Sequence, residues 1–275
     1  MKGINFKLIF SFIIYEIIII TMAVACYQLF PSSIKKLLRV QDPHVKILSS
    51  PLYDSAQEYF KMKSLLLSEK YDIPPPQIDI VSTPRQSFYD RRSEKINFDS
   101  KDLIDSSSEF TFYHEYAHHL QTHDKIKNVN VRSFIYLWIF LWFMISFYLF
   151  TKRKIYNILF KSLFVFLFFL GINKGVMINE FYADAWAHDQ LEKPELYKFY
   201  YSFFNHEKRA YQYYKQRFGL LSWALMDHPN YKTRQHVHRY PNTSVPWILW
   251  IDFKNHYQIR FTDPPSFKVL DGENQ

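Results

Sequence analysis

His114-Glu115-Tyr116-Ala117-His118 sets two imidazoles four residues apart with a carboxylate beside the first. On a helix that spacing puts both rings on one face, where they can ligate a single zinc ion. Glu115 is rotated off that face. It can reach a water held by the ion without binding the ion itself. Zinc lowers the pKa of such a water and the carboxylate accepts its proton, so the pattern predicts hydrolysis with Glu115 as general base. A catalytic zinc also needs a third protein ligand and an open position. Glu180-Phe181-Tyr182-Ala183-Asp184 offers one on a second predicted helix, with its two carboxylates again four residues apart. Glu180 would ligate, and Asp184 would accept the outward N–H of a liganding histidine. By themselves the same two residues also read as a solvated acidic pair. The single cysteine, Cys26, excludes a multi-cysteine zinc site and a disulfide framework.

The elements that must position these groups follow from periodicity. A helix over about 109–124 carries the first motif, capped by Ser106-Ser107-Ser108-Glu109. A helix over about 175–190 carries the second. Residues 52–70 place Leu52, Ala56, Tyr59, Phe60, Leu66 and Leu67 at helical spacing, and Pro74-Pro75-Pro76 ends that segment. Ile78–Val81 and Ile96–Phe98 alternate as strands. A long aromatic helix is expected over about 194–226. Few basic residues interleave with its rings, so they read as packing and no nucleic-acid partner is expected. The tail around Lys254-Asn255 alternates like a strand hairpin. His119 and His123 repeat the four-residue spacing about 100° further round the helix, and are expected to be exposed or in supporting contacts.

The chain has 275 residues, 48% of them hydrophobic, which excludes general disorder. Three stretches are too apolar for a soluble surface: Leu8–Phe30, Ser133–Phe150 and Ile155–Ile172, each near the roughly 20 residues a bilayer requires. The last two flank only Thr151-Lys152-Arg153-Lys154 and form a predicted helical hairpin. Its basic tip belongs in the cytoplasm by the positive-inside rule, with Lys161 able to snorkel towards it. The polar remainder then faces outward, in an integral multi-pass protein. The net charge of +8 suits an anionic lipid surface. Ala23-Val24-Ala25 before Cys26 loosely resembles a lipoprotein cleavage site, and Glu16 is an ionisable group within the first span.

Over about residues 50–240 the chain resembles the membrane gluzincin peptidases, which include HtpX-like proteases, the CAAX prenyl endopeptidases and the mitochondrial Oma-type proteases. HEYAH (114–118) is similar to the family's HExxH. The apolar hairpin 133–172 is similar to its membrane insertion, and EFYAD (180–184) to its ExxAD. His228-Pro229-Asn230-Tyr231-Lys232-Thr233-Arg234 looks like its HPxxxxR element. The resemblance implies a mostly α (α+β) zinc peptidase domain with a small sheet. It would occupy residues 31–275, interrupted by the membrane hairpin at 133–172, after an N-terminal transmembrane segment at 1–30. It implies Zn2+ on His114, His118 and Glu180, with Asp184 supporting a ligand. It further implies that His228 and Arg234 help stabilise the oxyanion. The expected function is zinc-dependent endopeptidase action on polypeptides presented near the lipid bilayer, membrane proteins among them. The competing expectation is a catalytically silent or latent membrane scaffold or sensor of the same fold.

Overall fold

The structure is a computed structural model. It describes residues 6–30, 46–82, 87–103, 108–150, 154–191, 216–226, 228–229, 233 and 244–258, excepting the side chains of 6–13, 15–16, 143, 145–150, 154–157 and 220. The cap residues Ser106 and Ser107, the hairpin tip 151–153, the aromatic stretch 192–215, Arg234 and the side chain of Glu16 lie outside the described residues. In chain order the elements are α1 (Phe6–Leu29), β1 (Lys46–Ile47), α2 (Pro51–Tyr71), β2 (Gln77–Ser82), β3 (Phe88–Asp90) and β4 (Lys95–Asp99). They continue with α3 (Ser108–Thr122), α4 (Val131–Phe150), α5 (Lys154–Asp189), a 3-10 turn (Gly219–Leu221), α6 (Ser222–Leu225) and α7 (Val245–Gln258).

The chain is mostly helical with one small mixed sheet. The two expected strands are β2 and β4, which pair in parallel with Ile78 opposite Ile96 and Ile80 opposite Phe98. Two short strands extend them on either side, giving the order β1-β2-β4-β3. The four aligned residues form one apolar face. Phe60 of α2 and Phe112, Tyr116 and Leu120 of α3 close over it. Phe60 stacks on Phe98 and on Phe112 at centroid distances of 4.8 and 5.0 Å. Each such buried side chain contributes roughly 1.5–3 kcal/mol. The Tyr116 hydroxyl lies in this core and is satisfied by Ser68 Oγ at 2.8 Å. Helix α2 starts at Pro51, its cap Ser50 accepting from the Tyr53 amide. It ends at Asp72 in the left-handed region, as Pro74–Pro76 anticipates.

Helices α4 and α5 run antiparallel. Phe134 lies over Phe168, and Trp138 and Trp142 lie over Phe164, with Trp138 and Phe164 only 4.4 Å apart. Lys161 is buried here, with its ammonium 5.3 Å from the Trp142 ring. On another side of α5, Cys26, Leu29 and Phe30 of α1 pack against Val165, Phe166 and Phe169. One helix among the described residues, Ile158–Asp189, is long and apolar enough to cross a membrane. Ile17–Leu29 and Val131–Trp142 are shorter apolar helices.

Three expectations change. The third apolar stretch and the helix over 175–190 are one helix: α5 runs unbroken for 36 residues, about 54 Å at 1.5 Å per residue. No proline interrupts it, and its glycines serve packing. Secondly, the helix expected over 194–226 does not hold to its end. Gly219 takes φ +51 and the chain passes through a 3-10 turn into α6, ending at Leu225. Thirdly, Val245–Gln258 is a helix, not a strand hairpin. Its covered face is Ile248, Asp252 and His256, while Trp247, Trp250, Phe253 and Tyr257 are exposed. The covered polar groups are paired: Asp252 accepts from Trp223 Nε1 and His256 Nε2 meets Ser222 Oγ, both at 2.9 Å.

Gly171 of α5 gives the Phe134 ring of α4 its room, since a Cβ there would meet Phe134 Cζ at 2.3 Å. Gly171→Ala should therefore destabilise the chain by about 1–3 kcal/mol, with Phe134→Leu in the same chain recovering part of it. Thermal unfolding in detergent measures both.

Candidate metal centre

Helix α3 is held on three sides. Phe112, Tyr116 and Leu120 face the sheet core, and Lys63 of α2 pairs with Glu109 in its first turn. The face carrying His114, His118 and Gln121 is left for α5. There Glu180 and Asp184 stand one turn apart, both buried. His114 Nε2 lies 3.3 Å and His118 Nε2 3.5 Å from the same atom, Glu180 Oε2. All three donor atoms lie within 4.8 Å of one another. Metal–ligand bonds of 2.0–2.1 Å at tetrahedral angles separate ligand atoms by about 3.3 Å. The donor set is therefore spaced to hold a metal ion as it stands.

The outward nitrogens fix which ring atoms face inward. His114 Nδ1–H donates to Asp184 Oδ1 at 2.9 Å. His118 Nδ1 meets Gln121 Oε1 at 2.9 Å, while Gln121 Nε2 donates to the Asn179 carbonyl at 2.8 Å. Because the amide nitrogen is committed to a carbonyl, the oxygen must accept from His118. Both imidazoles are thus held with Nε2 towards Glu180, the orientation a metal requires. Burial works against a charged His114. Hydrogen bonds to Asp184 and Glu180 outweigh it and push that imidazole up to about 10.

Glu115 is buried, 6% exposed, and its charge acts on the neighbouring His114. His228, from the loop after α6, brings Nε2 to 3.7 Å from Glu180 Oε2 and stays partly open to solvent. The structure therefore gathers His114, Glu115, His118, Glu180, Asp184 and His228. Arg234 lies outside the described residues. Of the two places expected for His119, exposed or in supporting contacts, exposure is not met. It is fully buried, because Pro74 and Tyr89 supply partners for its two nitrogens.

Sequence reasoning missed Gln121, although its place three residues after His118 is a readable signal for a side chain on the same face. It also missed how His228 is brought in. Asn173 Nδ2 donates to the carbonyls of Ala224 and Met226 at 2.7 and 2.9 Å. Lys174 Nζ donates to the carbonyls of Trp223 and Met226 and lies 4.2 Å from the Trp223 ring. These side chains pin α6 and Met226 to α5, nearly two turns ahead of Glu180. An Asn-Lys pair directly after an apolar stretch was the available signal.

No protein-family model matches the chain, and no curated protein or solved structure matches it.

With its pKa raised to about 10, His114 in the ion-free chain keeps its proton through neutral pH. The stability this adds is complete below about 6.5 and is lost as pH rises through about 10. An ion must displace that proton from Nε2. Affinity for a divalent transition ion should then rise about tenfold per pH unit between pH 7 and 9, with about one proton released. Titration calorimetry in buffers of different ionisation enthalpy reads both quantities. A pH-independent affinity would show that His114 is already neutral.

Proposed function

We propose that the chain is a membrane-embedded zinc metalloendopeptidase. The observation that carries this reading is the convergence of His114 Nε2 and His118 Nε2 on Glu180 Oε2 at 3.3 and 3.5 Å, with both outward nitrogens hydrogen-bonded. Two imidazoles and one carboxylate are a donor set typical of catalytic zinc, leaving a fourth position open. The resemblance of HEYAH, EFYAD and HPNYKTR to the membrane gluzincin peptidases supports the same assignment.

Zinc, when bound, supplies a Lewis acid for the scissile carbonyl and acidifies a water. Glu115 takes the proton of the attacking water and delivers it to the leaving amine. Asp184 and Gln121 keep the two imidazoles aimed. His228 stands beside Glu180 on the more open side, where an N–H can stabilise the developing oxyanion. The resemblance gives Arg234 the same task.

The membrane reading rests on α1, α4 and α5 together, as a multi-pass anchor. Only 39% of the most apolar part of α5 is buried against the rest of the chain. A core helix of a water-soluble protein would be mostly covered. Ile17, Ile20 and Val24 on α1, Leu137 and Phe140 on α4, and Leu159 and Leu163 on α5 all face outward. The basic tip 152–154 orients the hairpin with its loop in the cytoplasm and the catalytic part on the extracytoplasmic face. Substrates are then polypeptides presented near the bilayer, membrane proteins among them.

The test is casein hydrolysis by the detergent-purified, zinc-loaded chain beside Glu115→Gln prepared in the same way. The wild type should cut and the variant should be slower by at least about a hundredfold. Equal rates would remove Glu115 from the chemistry. A zinc-loaded wild type that cuts nothing would favour a silent scaffold or sensor instead.

A further inference from the structure

We propose that Glu94, His119 and His123 form a second divalent-cation site, which clamps the end of α3 to the turn between β3 and β4. The three residues offer ligand atoms within 4.8 Å of one another. His119 and His123 lie about 100° round the helix from the first histidine pair, towards Tyr89 and Glu94 instead of α5.

The chemistry of each donor supports this. His119 is buried, and its Nε2 lies 2.8 Å from the Pro74 carbonyl, which can only accept. Nε2 therefore carries the hydrogen, and the lone pair is on Nδ1. That atom meets the Tyr89 hydroxyl at 2.9 Å. On metal binding the Tyr89 O–H gives up this acceptor.

His123 stacks edge-on to His119 with centroids 4.7 Å apart. Its Nε2 is buried without a hydrogen-bond partner, an arrangement that folded proteins rarely tolerate. Glu94 Oε2 lies 3.8 Å from it, too far for a hydrogen bond and close to the separation of two ligands on one ion. Glu94 is held at the strand turn by its own backbone, its carbonyl accepting from the Gln77 amide at 3.0 Å.

Two imidazoles and one carboxylate favour zinc or another late first-row divalent ion over calcium or magnesium. Glu94 is partly solvent-exposed, so an ion here exchanges more readily than one between α3 and α5. Its effect is to fasten the C-terminal end of α3, and so the helix that carries HEYAH, to the sheet. The proposal does not depend on the peptidase reading.

The test is cobalt(II) titration of the full chain in detergent, following d–d absorption and counting bound metal by elemental analysis. Wild type should bind two ions, His123→Ala one and His118→Ala one. Glu94→Gln, which keeps the side-chain shape, should also bind one tightly. Circular dichroism checks that each variant is folded. A wild type that binds one ion, still held by His123→Ala, would overturn the proposal. So would two ions retained in both His123→Ala and Glu94→Gln, since the second would then be an adventitious ion elsewhere. One ion lost in His123→Ala but kept in His118→Ala would support this site and defeat the one between α3 and α5.

Discussion

Two carboxylates on one buried face of a helix, Glu180 and Asp184, are the constraint around which the rest is arranged. A buried charge without a partner costs several kcal/mol. Here the compensation comes from the imidazoles of α3, through His114 to both carboxylates and through His118 to Glu180. That pairing works only if α3 and α5 meet at one register and rotation. The sheet core fixes α3 through Phe112, Tyr116 and Leu120, and Trp186 of α5 reaches the same core, stacking on Tyr116 at 6.1 Å. From the other end, α1 and α4 hold α5 along its apolar half. The site is thus fixed from two directions by unrelated packing.

Polar groups carry an unusual share of this arrangement. Gln121 orients His118 and also ties α3 to the Asn179 carbonyl of α5. Asn179 in turn exchanges hydrogen bonds with both backbone groups of Val129, just before α4 begins. Asn173 and Lys174 hold α6. Asn173, Lys174 and Asn179 satisfy backbone groups at the ends of neighbouring elements, and Gln121 adds a second bond to a carbonyl within α5, so each joins two elements.

What could be read beforehand was the chemistry with a rigid period. His114 and His118 stand out because four-residue spacing on a helix puts both rings on one face, whereas Glu180 and Asp184 are legible only through their place after HEYAH and the apolar hairpin. The strands Ile78–Val81 and Ile96–Phe98 were legible from alternation and appear as β2 and β4. What failed did so for physical reasons. In α7 the usual assignment is inverted: Asp252 and His256 are covered and the tryptophans are exposed, so a reading that buries the apolar residues finds the wrong period. The apolar and polar halves of α5 differ in composition but not in backbone preference, so in the sequence a change of environment looks like a break in the helix. The burial of His119 is not legible because an imidazole in a core requires two partners, and Pro74 and Tyr89 are distant in sequence.

The continuity of α5 has one more consequence. Glu180 lies eight residues past Ile172, where the apolar stretch closes, so the ligand stands about 12 Å along the same rigid rod. On the proposed reading the site is a depth gauge. It meets a neighbouring chain at a set height above the hydrocarbon, which an extended segment covers in about four residues. Selection would then act on how far a strand emerges before it folds, and a membrane protein that has lost its juxtamembrane structure would qualify whatever its side chains.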